Sequence, residues 1–136
     1  MSRSGYSDDC EHVALWRGAV KRATRGYRGQ HLLKQLCAAL DAMPVKRLIA
    51  DAIVNDAGDV CALGALDATA PPYSADDCDD WDYARNLAKH FNIAHALASE
   101  IVYMTDEAAI WLAETPEQRW TRMRAWVDTQ IVPDKT

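Results

Sequence analysis

Gln30-His31-Leu32-Leu33-Lys34-Gln35-Leu36-Cys37-Ala38-Ala39-Leu40-Asp41-Ala42-Met43-Pro44 is the stretch that decides the fold class. Leu32, Leu33, Leu36, Cys37, Leu40 and Met43 share one broad apolar face, with Gln30, His31, Lys34 and Asp41 outside it. That spacing follows the 3.6-residue helical period and predicts an amphipathic helix over 30–43. Pro44 cannot continue it. Just upstream, Gly26-Tyr27-Arg28-Gly29-Gln30 breaks a preceding helix and opens this one. The preceding helix is expected from about Asp9 to Thr24. Asp8 and Asp9 suit its start, and Val13, Trp16, Val20 and Ala23 form its core stripe.

Downstream the pattern is less regular. Leu48, Ile49, Ile53 and Val54 precede Asn55-Asp56-Ala57-Gly58-Asp59, followed by Val60, Cys61, Leu63 and Leu66. A short hairpin within 46–66 fits this run. A helix over Val45–Ile53, then a turn and a strand or short helix, fits nearly as well, because short apolar runs have no decisive period. Residues 67–80 (DATAPPYSADDCDD) read as a flexible acidic loop. Asp79 or Asp80 then caps a helix from Trp81 to about Met104, with Asn92 as a kink or a break into two. Thr105–Ala113 stays ambiguous. Thr115, Pro116 and Gln118 form a capping box with a proline at the first helical position. The helix they start presents Trp120, Met123, Val127 and Ile131 on one face and stops at Pro133. The expected architecture is mainly α: a single domain over residues 1–136, four to six helices, with α+β as the alternative if the hairpin forms.

The 136 residues are 49% hydrophobic and 26% charged, which excludes a disordered chain. No apolar run approaches the roughly 20 residues a bilayer span needs, and the N-terminal twelve lack the apolar core of a signal peptide. No membrane partner and a cytoplasmic location are therefore expected. The four cysteines, none in a C-x-x-C pair, are expected to be reduced, with Cys37 and Cys61 as small buried hydrophobes. The net charge of −5 is unevenly spread: residues 1–50 carry nine Lys/Arg against four Asp/Glu, whereas residues 51–82 carry nine acids and no base. A basic lobe beside an acidic one either pairs internally or marks a surface for a charged partner.

Catalytic signatures are absent. The sequence has no G-x-S-x-G, P-loop or G-x-G-x-x-G motif. Cys61, between Gly58 and Gly64, is the nearest approach to a nucleophile and reads more simply as core. Cys10-x-His12 with Cys37, Cys61, Cys78, His31, His90 and His95 lacks paired zinc spacing. Asp76-Asp77-Cys78-Asp79-Asp80-Trp81-Asp82 lacks the glycine and glutamate of a calcium loop. No metal and no cofactor are expected. One segment stands out: Arg17, Lys21, Arg22, Arg25, Arg28 and Lys34 surround Gly26 and Gly29. Like charges four residues apart on a helix repel by a few tenths of a kcal/mol, so something must favour them. Arg17, Lys21, Arg25, Tyr27, Arg28, Gly29, Gln30 and Lys34 are the candidate partner or anion site. Arginines grip phosphate or carboxylate in bidentate fashion, and Tyr27 can stack on a base. Trp111 and Trp126 are candidate interface aromatics, Trp126 lying at the margin of the last helix's apolar face.

Six segments carry a resemblance. They are Trp16-Arg17-Gly18-Ala19-Val20; Arg25-Gly26-x-Arg28-Gly29-Gln30; Ala39-Leu40-Asp41-Ala42-Met43-Pro44-x-Lys46-Arg47-Leu48-Ile49-Ala50; Gly58-x-Val60-Cys61-Ala62-Leu63-Gly64-Ala65; Ile93-Ala94-x-Ala96-Leu97-Ala98-x-Glu100-Ile101-Val102-Tyr103; and Glu114-Thr115-Pro116-Glu117-Gln118-Arg119. Together they resemble an uncharacterised family of small proteins encoded by tailed phages and prophages, over nearly the whole chain except about 67–80. The resemblance implies a phage setting in a host cytoplasm and supplies no chemistry. The expected function is thus non-covalent binding of a macromolecular partner, host or phage protein first, as an accessory factor with anti-defence activity as one form. Nucleic-acid or nucleotide binding through 17–34 is the alternative, weakened by the acidic pI of about 5.2.

Overall fold

In the structure, a computed structural model, residues 13–72, 80–109 and 113–133 are described, the side chains of 13, 14, 80 and 81 excepted. Six helices follow one another: α1 (Val13–Arg25), α2 (Tyr27–Ala42), α3 (Ala62–Leu66), α4 (Asp80–Phe91), α5 (His95–Asp106) and α6 (Pro116–Gln130). The architecture is mainly α, as the periodicities predict.

Helix α2 buries Leu32, Leu33, Leu36 and Leu40, each at most 4% exposed. It starts three residues earlier than its apolar pattern suggests, with Gly26 at the N-cap. The reason lies in Gly29, which sits inside the helix rather than before it. A Cβ there would stand 2.0 Å from the Ala23 carbonyl oxygen and 3.0 Å from that of Thr24. The end of α1 therefore presses directly on the first turn of α2, and only glycine permits that approach. Gln30 completes the corner. Its amide nitrogen donates to the carbonyls of Thr24 (2.7 Å) and Gln130 (3.0 Å), and its oxygen accepts from the Val132 N–H (2.8 Å). The ends of α1 and α6 are thereby tied to the start of α2. At the other end of α2, the Lys46 ammonium donates to the carbonyls of Leu40, Asp41 and Met43, and the Trp120 indole N–H also donates to Leu40. Terminal carbonyls without intrahelical partners are thus satisfied by side chains.

Between α2 and α3 the chain forms only one isolated antiparallel bridge, Val54 to Val60, among the described residues. A hairpin ladder does not develop. Asn55 Oδ1 accepts from the N–H groups of Ala57 and Asp59, and Gly58 takes a positive φ of 86°, so the turn is tight. Immediately after Val60, the Cys61 sulfur accepts from the Gly64 N–H and caps α3. The second arm becomes a helix before it can pair further.

Asn92 divides the long helical run into α4 and α5. It adopts a left-handed φ of 56°, while its N–H reaches Lys89 and the N–H of Ile93 reaches Ala88. These two bonds make a Schellman motif with asparagine in the usual glycine place. Ile93, 5% exposed, anchors the reversal in the core. The following helix α5 is central. Leu97, Ala98, Ser99 and Ile101 are fully buried, and α1, α3, α4 and α6 all pack on it. Helix α6 begins with the capping box read from the sequence: Thr115 accepts from Gln118 N–H, and Gln118 returns a bond to Thr115 N–H. Met123 and Val127 seal its inner face. One hydrophobic cluster takes residues from α2 through α6, with Ala23 of α1 packed against it. The acidic stretch 73–79, the N-terminal residues 1–12, positions 110–112 of the ambiguous Thr105–Ala113 stretch and the last three residues, 134–136, lie outside the described residues.

Candidate interaction surface

From Val13 to Leu40 the chain carries six Lys/Arg and no acid, so the charges on α1 and most of α2 are all cationic. Arg17, Lys21 and Arg25 stand four residues apart along α1 and form a ridge. The ridge borders an open groove of about 820 Å³, whose opposite wall is Thr129–Pro133 at the end of α6. Val20, Ile131 and Val132 give that groove an apolar floor and side. Val20 is buried, whereas Val132 is 42% exposed.

The sequence-predicted residues divide into three roles. Arg17 is committed inward. Its two terminal nitrogens bond both carboxylate oxygens of Glu100 at 2.8 and 2.9 Å, and the Glu100 side chain is only 7% exposed. Gly29 and Gln30 build the helix corner and present no free group to a ligand. Lys21, Arg25, Tyr27, Arg28 and Lys34 are exposed. Among the described residues no carboxylate pairs with Lys21, Arg22, Arg25 or Arg28. Arg28 instead donates to the Asn92 side-chain oxygen at 3.2 Å. Trp126 is partly buried and packs against the core, so it is not an open aromatic. Trp111 lies outside the described residues.

Two partners went unpredicted. Glu100 is the sole acid between Tyr83 and Thr105, among the buried Leu97, Ala98, Ile101 and Val102 of α5. A lone carboxylate in such a run signals a cation brought to it, because a buried charge must be paired. The α6 wall of the groove has no local signal; it follows from how Gln30 ties the helix ends together.

Among the described residues no group of three or more His, Cys, Asp or Glu side chains could hold a metal ion. Cys61 is 1% exposed and occupied as a helix cap. Cys37 is half-buried. His90 contacts Asp67 at 2.8 Å. The Thr69 hydroxyl, then His90, holds the Asp67 carboxyl down to about 2. Burial, then the nearby Arg85 charge, pushes the His95 imidazole below its ordinary value, while Asp82 opposes the shift. His95 meets the Trp16 ring edge-on, with centroids 5.8 Å apart. Cys10, His12 and Cys78 lie outside the described residues. No described helix is long and apolar enough to cross a membrane. No protein-family model matches this chain, and neither a curated protein nor a solved structure matches it.

Proposed function

We propose that this chain is a binding protein whose α1–α6 groove takes an acidic, partly apolar segment of a partner protein. The observation that carries this reading is the pairing of two features in one groove. Lys21 and Arg25 stand on its rim without a carboxylate partner among the described residues, and Val20, Ile131 and Val132 lie beneath them. Carboxylates of a partner would meet the rim, and its apolar side chains would cover the floor. Charged rims steer association and select partners, while desolvated apolar contacts hold them. The resemblance of the six sequence segments to proteins of tailed phages supports a phage setting. In that setting the chain acts as an accessory factor on a host or phage protein, interference with host defence being one form of such action.

The test is affinity capture from host lysate, followed by reconstitution with the purified partner. Wild type is compared with the Lys21→Glu/Arg25→Glu variant. A stoichiometric protein partner retained by wild type and lost by the variant, with affinity falling as salt rises, is the expected result. A partner bound equally by both proteins overturns the reading, and so does retention of nucleic acid alone.

A further inference from the structure

The α1–α6 groove calls for an acidic, partly apolar segment, and the chain itself carries one. Residues 51–60 hold Asp51, Asp56 and Asp59 and no base. Residues 54–58 are all exposed, and Val54 keeps 42% of its surface open. Asp59 is taken by Arg47 at 2.6 Å. Asp56 pairs with no cation among the described residues. The turn is also held in one shape. Asn55 Oδ1 accepts from the N–H groups of Ala57 and Asp59, the Asn55 N–H donates to the Asp59 carbonyl at 2.9 Å, and the Gly58 N–H donates to the Asn55 carbonyl at 3.0 Å. A turn already formed docks at little ordering cost.

Helix α6 sets the two surfaces apart. At its first residue, the Pro116 carbonyl accepts from the Leu48 N–H at 3.0 Å, and the neighbouring Ile49 N–H donates to Val60 at the base of the turn at 2.9 Å. At its other end, Thr129–Pro133 walls the groove. The 15 residues of α6 span ~22 Å, so the turn cannot enter the groove of its own copy. We infer that the groove seats the 54–58 turn of a second copy of this chain, Asp56 meeting Lys21 and Arg25, and Val54 covering Val132. This rests on the reading of the groove as a seat for an acidic, partly apolar segment and names the segment. Different patches meet in such a contact, so each added copy still offers a groove or a turn, and assembly runs head to tail rather than closing as a two-fold pair. One turn buries less than the roughly 1,200 Å² of a stable interface, so the association is weak and grows with concentration. A foreign segment of the same pattern competes for the same seat.

The test is sedimentation velocity of the purified full chain at low salt, from about 10 µM to about 1 mM, the range in which weak contacts of this size assemble. The weight-average sedimentation coefficient of wild type is expected to rise with concentration, and the rise is expected to shrink as salt is added. Lys21→Glu/Arg25→Glu, which disables the groove, and Asp56→Lys, which disables the turn, are each expected to stay monomeric. All three positions are exposed, so the changes spare the core. Mixing the two variants is expected to restore association, because each supplies the surface the other lacks; this also shows that both are folded. A wild type that stays monomeric throughout overturns the inference, while the groove reading is still decided by capture of a foreign partner. Self-association that either variant retains alone runs through another surface and overturns the inference too, as does a mixture that stays monomeric.

Discussion

Arg17 and Arg25 illustrate how far a residue's sequence context determines its role. Both lie on the same helical ridge, yet one meets a buried carboxylate and the other meets none among the described residues. Arg17 closes a bidentate pair with Glu100, and such geometry is worth more than a surface ion pair. Arg17→Ala is expected to cost about 1–3 kcal/mol in urea unfolding. A double-mutant cycle with Glu100→Gln is expected to show coupling of at least about 0.5 kcal/mol; strict additivity contradicts the pairing. Gly29 makes a second residue-scale case. Gly29→Ala forces a Cβ against the Ala23 carbonyl, a backbone atom that cannot rotate away. The expected loss is about 1–3 kcal/mol, despite alanine's better helix propensity, and a rise in melting temperature contradicts the close approach. His95 supplies a pH dependence. Its imidazole titrates below the ordinary value of 6.5 when folded, so the unfolded chain binds the extra proton first. Its contribution to stability is whole above about pH 6.5 and is lost as pH falls through the window beneath it. Wild type is therefore expected to lose more stability than His95→Gln between pH 7.5 and 5.5, measured by urea unfolding. Equal losses contradict the shift, since His31 and His90 remain in both proteins.

At the scale of elements, legibility followed the strength of local signals. The start of α6 was plain because Thr115, Pro116 and Gln118 each satisfy a specific backbone requirement at that end. Thr115→Ala is expected to cost about 1 kcal/mol, read as a fall in melting temperature; no change contradicts the cap's contribution. The core face of α2 was equally plain, and Leu32, Leu33, Leu36 and Leu40 are all buried. The start of α2 was not, because glycine ordinarily breaks a helix and its inclusion depends on contact with α1. Residues 46–66 were undecided for a similar reason. Their apolar side chains are short in sequence run, and Val54–Val60 pairing competes with helix capping by Cys61, a contest settled only by packing against α2 and α5. Asn92 was recognisable as a break, while the Schellman geometry around it required Ile93 to find a buried seat.

At the scale of the whole molecule, charge segregation was visible in the sequence, and its spatial meaning was not. Residues 13–40 carry cations alone, but which of them face one another, and which meet carboxylates, depends on how α1 lies on α5 and α6. The groove exists because Gln30 fastens α6 to the α1–α2 corner, a contact between positions a hundred residues apart in sequence. No local pattern announces it. Trp126 follows the same logic: its position at the margin of a helical face gave no hint that it packs inward.

Central to the binding surface is that, among the described residues, no carboxylate of the chain pairs with Lys21 or Arg25 on the α1 ridge. Thermal unfolding of Lys21→Glu/Arg25→Glu at low ionic strength tests this most directly. Reversing two charges within a patch of cations relieves repulsion, so the variant is expected to melt at the wild-type temperature or slightly above it. A clear fall in melting temperature that shrinks as salt is raised would mean that these cations already hold acids of their own chain, and the proposed contact surface would be lost.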